Sequence, residues 1–456
     1  MSLLRSNNSL CLQMSKLNIA AETYARFLRW SYWLKDLLNG GRVYRQYADI
    51  RKTYLGSFAE SEARREKALK KLLTHAVRSS GLYKGCDPDN LGDFPIANKK
   101  FLTENHNLNL VPEDVLPWQK TPYTIQRTSG STGTPFAIPM DSRKRCRRVA
   151  ELKFYGKLVG FNSHDKLMQL RIWSKYQNKR KTQQLRENII AWNIADLSEK
   201  KLQDLYDSMA RERCVAIRGY ASTLDIFAKY VRDHHLPPLP FLKIAIAGSE
   251  TLYEETRTLV EQYLGCDIIS QYANEENGIL AQQSVSGEEK DIFHLNTPSY
   301  YFEVLKMDSD EPAEPGELGR LVITDLYNYA FPMIRYENGD CGIMQKKKDG
   351  TPYLSRIYGR VMDLVYNTKD EPVSPMTLAR ILKNIDGIRQ WQFVQKAKGN
   401  YLVRVIPEEA SHAGISSAVI SEIRNYFGED AVVDIEYVKE IPVLKSGKRK
   451  SVICEK

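Results

Sequence analysis

The stretch LKIAIAGSETLYEETRTLVEQYLGCDIISQYANEENG, Leu242 to Gly278, decides the fold. An apolar run opens into a polar turn, a run with helical spacing follows, and a second apolar run, DIISQYA, opens into another polar cluster. Apolar runs of this length bounded by turn residues read as buried strands, and a helical pattern between two of them predicts a parallel crossover. The same unit stands just upstream, where CVAIRGY (Cys214 to Tyr220) precedes STLDIFAKYVRD (Ser222 to Asp233). Earlier still, YTIQR from Tyr123 reads as a strand, then a turn, then a basic helix beginning near Ser142. From Tyr300 to Met344 the β signals are joined by Pro- and Gly-containing turns, which predicts an antiparallel addition to the sheet.

The two ends of the chain differ from this middle. Ala20 to about Tyr47 is helical, basic and aromatic, ending at Gly40-Gly41, and Glu60 to Ser79 is a packing helix with Leu69, Leu72, Leu73, Ala76 and Val77 on one face. After Gly359-Arg360 a small α+β pattern begins: DLVYN, a helix from Ser374 to Asn384, strands RQWQFVQKA and YLVRVIP, a helix from Ala418 to Phe427, the strand VVDIEYV and a basic tail. The expected fold class is therefore α/β. A large N-terminal domain with mixed, mostly parallel sheets spans 1–358, its first 95 residues a mainly helical lead-in, and a small mobile α+β domain spans 359–456.

Composition narrows the partners. The chain has 456 residues, and 66 Lys+Arg against 56 Asp+Glu give +10. The basic residues run from Arg5 to Lys456 with acids between them, which argues against a nucleic-acid partner and for nucleotide phosphates or an anionic membrane face. Seven scattered cysteines without a CxxC point to a reducing compartment. No stretch has the continuous apolar character of a signal peptide or a membrane span, so a cytoplasmic protein is expected. The aromatic N-terminal helix packs on the main domain, touches the membrane surface as a peripheral contact, or docks a partner.

Four segments carry chemistry. TSGSTGTP, Thr128 to Pro135, combines glycines that allow close backbone approach with the hydroxyls of Thr128, Ser129, Ser131 and Thr132, and so can cradle a phosphate; Gly130 and Gly133 supply the turns. It lacks the Gly-Lys-Ser/Thr of a Walker loop, and no GxGxxG occurs in the chain. Ser249-Glu250 and Tyr272 to Glu276 lie where strands open at their carboxyl ends, offering Tyr272 as a flat face for a base and Glu275 or Glu276 as a hard oxygen for Mg²⁺. In YENGD, Asp340 can accept from both hydroxyls of a ribose, or simply close a hairpin turn; Arg335 suits a buried ion pair or a substrate contact. Lys448, after Ser446-Gly447, is a lysine on a turn that can be delivered to a phosphate at one stage and withdrawn at another, or part of a solvated basic tail. GxSxG, HExxH and Cys/His clusters at metal spacing are absent.

Taken in order, these segments resemble the adenylate-forming (ANL) superfamily, specifically its phenylacetate–CoA ligase branch, which includes adenylate-forming proteins of capsular polysaccharide gene clusters. DFPIANKK at Asp93 to Lys100 is similar to the segment that precedes the branch's phosphate loop. The resemblance implies that ATP and a carboxylic acid give an acyl-adenylate and pyrophosphate, after which the C-terminal domain rotates and CoA takes the acyl group. It also implies the roles. Thr128 to Gly133 form the phosphate loop, Ser249 and Glu250 the adenine side, Tyr272 and Asn274 further nucleotide contacts, Asp340 and Arg360 the ribose site, Glu276 the Mg²⁺ ligand and Lys448 the catalytic lysine. Ala273 and Glu275 depart from the branch's Gly and Thr, Met362 stands at the hinge, and Lys369-Asp370 replaces the glycine past which pantetheine moves. These departures leave open an acyl-adenylate amide ligase acting on an amine such as an amino sugar, or a non-catalytic nucleotide-binding scaffold. Gln282-Gln283, where some relatives carry metal-binding cysteines, imply no structural zinc.

Overall fold

A computed structural model describes residues 2–127, 136–171, 173, 179–287, 289–360, 365–370, 372–373, 378, 381–382, 385–408, 414–442 and 450–455, with side chains except at 2–19, 360 and 372. Five parallel strands form one half of the main sheet, in the spatial order Ile189–Asn193, Leu167–Arg171, Ala216–Tyr220, Ile244–Gly248 and Asp267–Asn274. From Asp267–Asn274 onward the sheet turns antiparallel through Gly278–Gln282, Phe293–Leu295, Pro352–Arg360, Tyr336–Lys346, Leu318–Asp325 and Tyr300–Leu305. The parallel half and the antiparallel addition thus fall where the apolar periodicity places them.

Both faces of the parallel half are covered, which is why its strands read as continuous apolar runs. Met168, Leu170, Ile217, Ala245, Ala247 and Ile268 pack under the helices Glu199–Glu212 and Ala221–Asp233. The alternate residues Leu167, Ala216, Ile244, Ile246 and Ile269 pack with Val159 and Phe161 on the other face.

The helical lead-in consists of Ser2–Leu38, Arg42–Tyr54 and Phe58–Ser79. The stretch expected as one helix to about Tyr47 is therefore two, because Gly40 and Gly41 take left-handed φ of 87° and 61°. Asp36 then accepts from the amides of Val43 and Tyr44 at 3.0 and 2.9 Å, holding the second helix to the end of the first. The first helix docks through Arg29, which donates to the Ser163 carbonyl at 2.9 Å and pairs with Asp165 at 2.7 Å, and through Tyr32, whose ring lies 3.7 Å from the Lys153 ammonium. Phe27, Trp30, Leu37 and Leu38 remain exposed on it. No helix among the described residues is long and apolar enough to cross a membrane.

The helix Ser142–Leu158 begins where expected, but it does not follow the TSGSTGTP loop directly: Thr124–Arg127 pairs antiparallel with Ala137–Met140, so the loop joins the arms of a hairpin. The helix carries a buried polar network. Lys144 lies 2.6 Å from Asp325, with both side chains fully buried, and donates to the Tyr300 hydroxyl at 3.0 Å. Arg147 bonds Asp49, Ser299 and the Pro298 carbonyl.

The C-terminal unit is a four-stranded sheet in the order Val432–Tyr437, Asn400–Pro407, Ile388–Ala397, Val452–Cys454, with the helix Ile415–Phe427 against it. Its core residues all lie between Val365 and Val452. The helix expected at Ser374 to Asn384 falls largely outside the described residues, as do Met362, Asp363 and Lys448.

Candidate active site

Tyr220, Gly248 and Gln271 stand side by side in register at the carboxyl ends of three adjacent parallel strands. Above them opens a groove of about 3120 Å³, walled on its far side by residues of the C-terminal unit, among them Trp391, Lys450 and Ser451. Across it the Tyr253 hydroxyl meets Ser451 Oγ at 3.2 Å. Strand ends of an open α/β sheet are where ligands bind. Of the residues expected in a nucleotide site, Ser249, Glu250, Tyr272, Asn274, Glu276 and Asp340 all line this one groove.

Tyr272 and Asp340 are brought together. The Tyr272 hydroxyl donates to Asp340 Oδ2 at 2.7 Å, and the Asn338 amide donates to both, at 2.5 Å to the hydroxyl and 3.0 Å to the carboxylate. The Asp340 amide closes the turn on Asn338 Oδ1 at 3.0 Å. A register shift between Tyr272 and Ala273 bulges the strand at this point, the device by which a strand re-aims a side chain beside a site. Asp340 is thus a carboxylate with fixed orientation, preorganised to accept from hydroxyls. Arg360 pairs with Asp340 on the neighbouring strand, which sets its backbone beside that carboxylate.

Glu276 sits on the turn after this strand, and the carbonyls on either side of it are pinned. Arg148 donates to the Glu275 carbonyl at 2.9 Å, and Tyr300, itself held by Lys144, donates to the Asn277 carbonyl at 2.6 Å. The Tyr336 hydroxyl reaches the Glu276 carboxylate at 3.5 Å. A carboxylate carried on a pinned turn and lining the groove suits Mg²⁺, which is held by one or two carboxylates together with substrate phosphates. Glu275 does not crowd that position: it bonds Arg171 at 2.9 Å and Gln126 at 2.6 Å.

Other expected residues have structural partners. Glu250 accepts from the Ser222 amide at 2.9 Å, capping the helix Ala221–Asp233. Ser249 takes a left-handed φ of 66° immediately after Gly248. The Asn274 amide group bonds Asn277 through both its ends, closing the turn that carries Glu276. Arg335 is committed to an ion pair with Glu303 at 3.1 Å, so of its two readings the structural one applies. Thr128, Ser129, Gly130, Ser131, Thr132, Gly133 and Lys448 lie outside the described residues. Among the described residues no three His, Cys, Asp or Glu side chains converge as a metal site.

Four residues of the site escape sequence reasoning: Gln126, Arg171, Asn338 and Arg218, the last a lining residue of the same groove. Asn338 shares the YENGD turn already singled out. Arg171 and Gln126 are visible only once Glu275 is placed. Arg218 had a signal, a charged residue inside the apolar strand CVAIRGY.

Comparison with known proteins places the sequence and the fold. Residues 365–455 match the CapK C-terminal domain family. Protein CapK of Staphylococcus aureus is 23% identical over 373 residues, covering 76% of this chain and 80% of that protein. A phenylacetate-coenzyme A ligase of Thermus thermophilus is 31% identical over 231 residues, 48% of each chain. Among solved structures, 2-hydroxyisobutyryl-CoA ligase, in the postadenylation state with an acyl-AMP, superposes with a TM-score of 0.71 at 17% identity, covering 89% of this chain and 91% of that one. Residues 365–455 thus carry a CapK-type C-terminal domain, and the chain as a whole has the fold of adenylate-forming acyl-CoA ligases and is similar in sequence to Protein CapK and to phenylacetate-coenzyme A ligases.

Proposed function

We propose that this protein activates a carboxylic acid with ATP and passes the acyl group to CoA. The observation that carries the reading is the Tyr272–Asn338–Asp340 triangle, a carboxylate fixed for a ribose beside the strand-end row of Tyr220, Gly248 and Gln271 and within the same groove as Glu276. In the first step an oxygen of the acid attacks the α-phosphorus, the bond to pyrophosphate breaks, and acyl-AMP forms. In the second a thiol sulfur attacks the acyl carbon and AMP leaves. Such transfers depend on positioning and charge neutralisation. Asp340 with Arg360 positions the ribose, Tyr272 holds Asp340 and flanks the base, and Thr128 to Gly133 take the phosphates. Lys448 on the mobile C-terminal domain bridges acid and α-phosphate. Glu276 would hold Mg²⁺, which supplies charge neutralisation at the phosphates.

Exchange of labelled pyrophosphate into ATP across pools of acids, followed by addition of CoA, tests the reading. Acid-dependent exchange that is lost in Lys448→Ala supports it; unchanged exchange in that variant removes the lysine's role. A second reading is transfer to an amine, such as an amino sugar of a surface polysaccharide. It is favoured at the segment where the branch keeps a glycine for pantetheine: Asp370 stands there instead, with a left-handed φ of 63° and a side chain paired with Lys398. AMP release driven by amines but not by CoA selects it. The exposed Phe27, Trp30, Leu37 and Leu38 further support peripheral contact with a membrane surface through the first helix, and failure to pellet with anionic vesicles removes that contact.

A further inference from the structure

Arg218 lies on the strand Ala216–Tyr220, on the face it shares with Ala216 and Tyr220, beside Gln169 on one neighbouring strand and Ile246 on the other. Below it is the apolar layer of Leu167, Ala216, Ile244 and Ile269, and above it the groove. Its Nε is closed off from solvent with no hydrogen-bond partner, and among the described residues no carboxylate pairs with it. In sequence, 128–135 and 172–178 contain no Asp or Glu. Burial with no opposing charge draws this guanidinium's pKa down to about 10. The other arginines of this wall are already engaged, Arg171 with the Glu275 carboxylate and Arg148 with the Glu275 carbonyl.

A half-buried guanidinium set between an apolar layer and the groove, with its Nε closed off and unbonded, is unfavourable for the free protein, and such a group is a candidate for a ligand contact. Its depth identifies which ligand. Arg218 is set back two residues from the strand-end row of Tyr220, Gly248 and Gln271, about 6–7 Å at the rise of a parallel strand. The nucleotide is anchored at the level of Asp340, Tyr272 and Glu276, at the rim, so the group that reaches Arg218 belongs to the far end of the acid. We infer that Arg218 receives a second anionic group on the acid, which makes the substrate a short dicarboxylic acid. The inference rests on the adenylation reading for the assignment of the acid's place, and the experiment separates the two.

Pyrophosphate exchange is measured with succinate, glutarate and adipate against butyrate, hexanoate and benzoate, for the full chain and for Arg218→Met and Arg218→Lys. In parallel, titration calorimetry follows the same dicarboxylates binding to nucleotide-free protein. A dicarboxylate is expected to exceed the monoacid of matching length by at least about tenfold in kcat/KM. Arg218→Met is expected to lose about 10–100-fold on the dicarboxylate, the range of a charge-assisted contact. Arg218→Lys should recover part of this, and the KM for ATP should stay unchanged. Because Arg218 has no ionic partner to orphan, Arg218→Met should melt at or above the wild-type temperature. A monoacid preferred by the wild type, a dicarboxylate rate untouched by Arg218→Met, or an effect confined to the ATP KM overturns the anion pocket. So does a loss of activity that merely follows a fall in melting temperature. No exchange with any acid, alongside dicarboxylate binding that Arg218→Met abolishes, overturns adenylation and leaves the pocket standing.

Discussion

Replacing Lys144 by Met tests how the Glu276 turn is supported. Lys144 and Asp325 are 2.6 Å apart with neither side chain exposed, and the same ammonium donates to Tyr300, whose hydroxyl holds the Asn277 carbonyl. Removing the cation leaves Asp325 charged, buried and unpaired, a change that costs about 3–5 kcal/mol. An unfolding entropy of about 2.1 cal/mol/K per residue, taken over roughly 360 residues, converts this into a fall in Tm of about 4–7 °C. Adding Asp325→Asn removes the orphaned charge while an Asp325-side oxygen still caps the Tyr327 amide, bonded at 3.0 Å in the wild type, so the double variant should regain at least half of the loss. Scanning calorimetry of the two single variants and the double variant gives the coupling directly. Because Tyr300 loses its anchor, the Mg²⁺ concentration needed for half-maximal pyrophosphate exchange should also rise. If each single variant moves Tm by less than about 1 °C, or if the double variant is no better than the singles, the pair is not the buried support described here.

Tyr272→Phe removes the 2.7 Å bond to Asp340 but leaves the Asn338 contact, so AMP affinity, read by calorimetry, should weaken about 3–10-fold, and Asp340→Ala should weaken it further. Glu276→Gln should raise the Mg²⁺ requirement of exchange while AMP still binds, whereas equal loss of AMP binding would place Glu276 elsewhere in the chemistry. His164 is held down at about 4 by burial, with Lys153 and Arg29 adding to the effect. Its unfolded form titrates near 6.5, so the unfolded chain binds the extra proton between those values and stability falls as pH drops from about 6.5 towards 4, by roughly 2 kcal/mol once partial exposure is discounted. His164→Phe should flatten that slope in urea titrations, and an unchanged slope would assign it to other groups. Metal analysis of the purified protein should find no stoichiometric zinc.

The parallel half of the fold is legible because each strand is apolar on both faces and separated from the next by a helical period, and Gly40-Gly41 mark a helix break through their left-handed freedom. The site is legible only where chemistry and chain adjacency coincide. Asp340 and Asn338 sit in one turn, but the bond between Tyr272 and Asp340 joins residues 68 apart in sequence and depends on a bulge that no local pattern announces. Glu275 shows the limit most plainly. As a sequence it is a second carboxylate beside the proposed metal ligand; in the fold it is neutralised by Arg171 and hydrogen-bonded by Gln126, which arrive from two other strands. Pairings of that kind depend on register across the sheet, and register is a tertiary property.

The C-terminal cluster draws its residues only from Val365 to Val452, so the protein is expected to be thermodynamically modular. If each core melts by itself, calorimetry should resolve two transitions and a substitution in one should shift its own peak alone; a single transition in the ligand-free protein refutes this. A ligand held between the cores binds only when both are intact. Saturation with a nonhydrolysable acyl-adenylate analogue should therefore draw the two peaks together, making cooperativity a property of the complex and not of the chain.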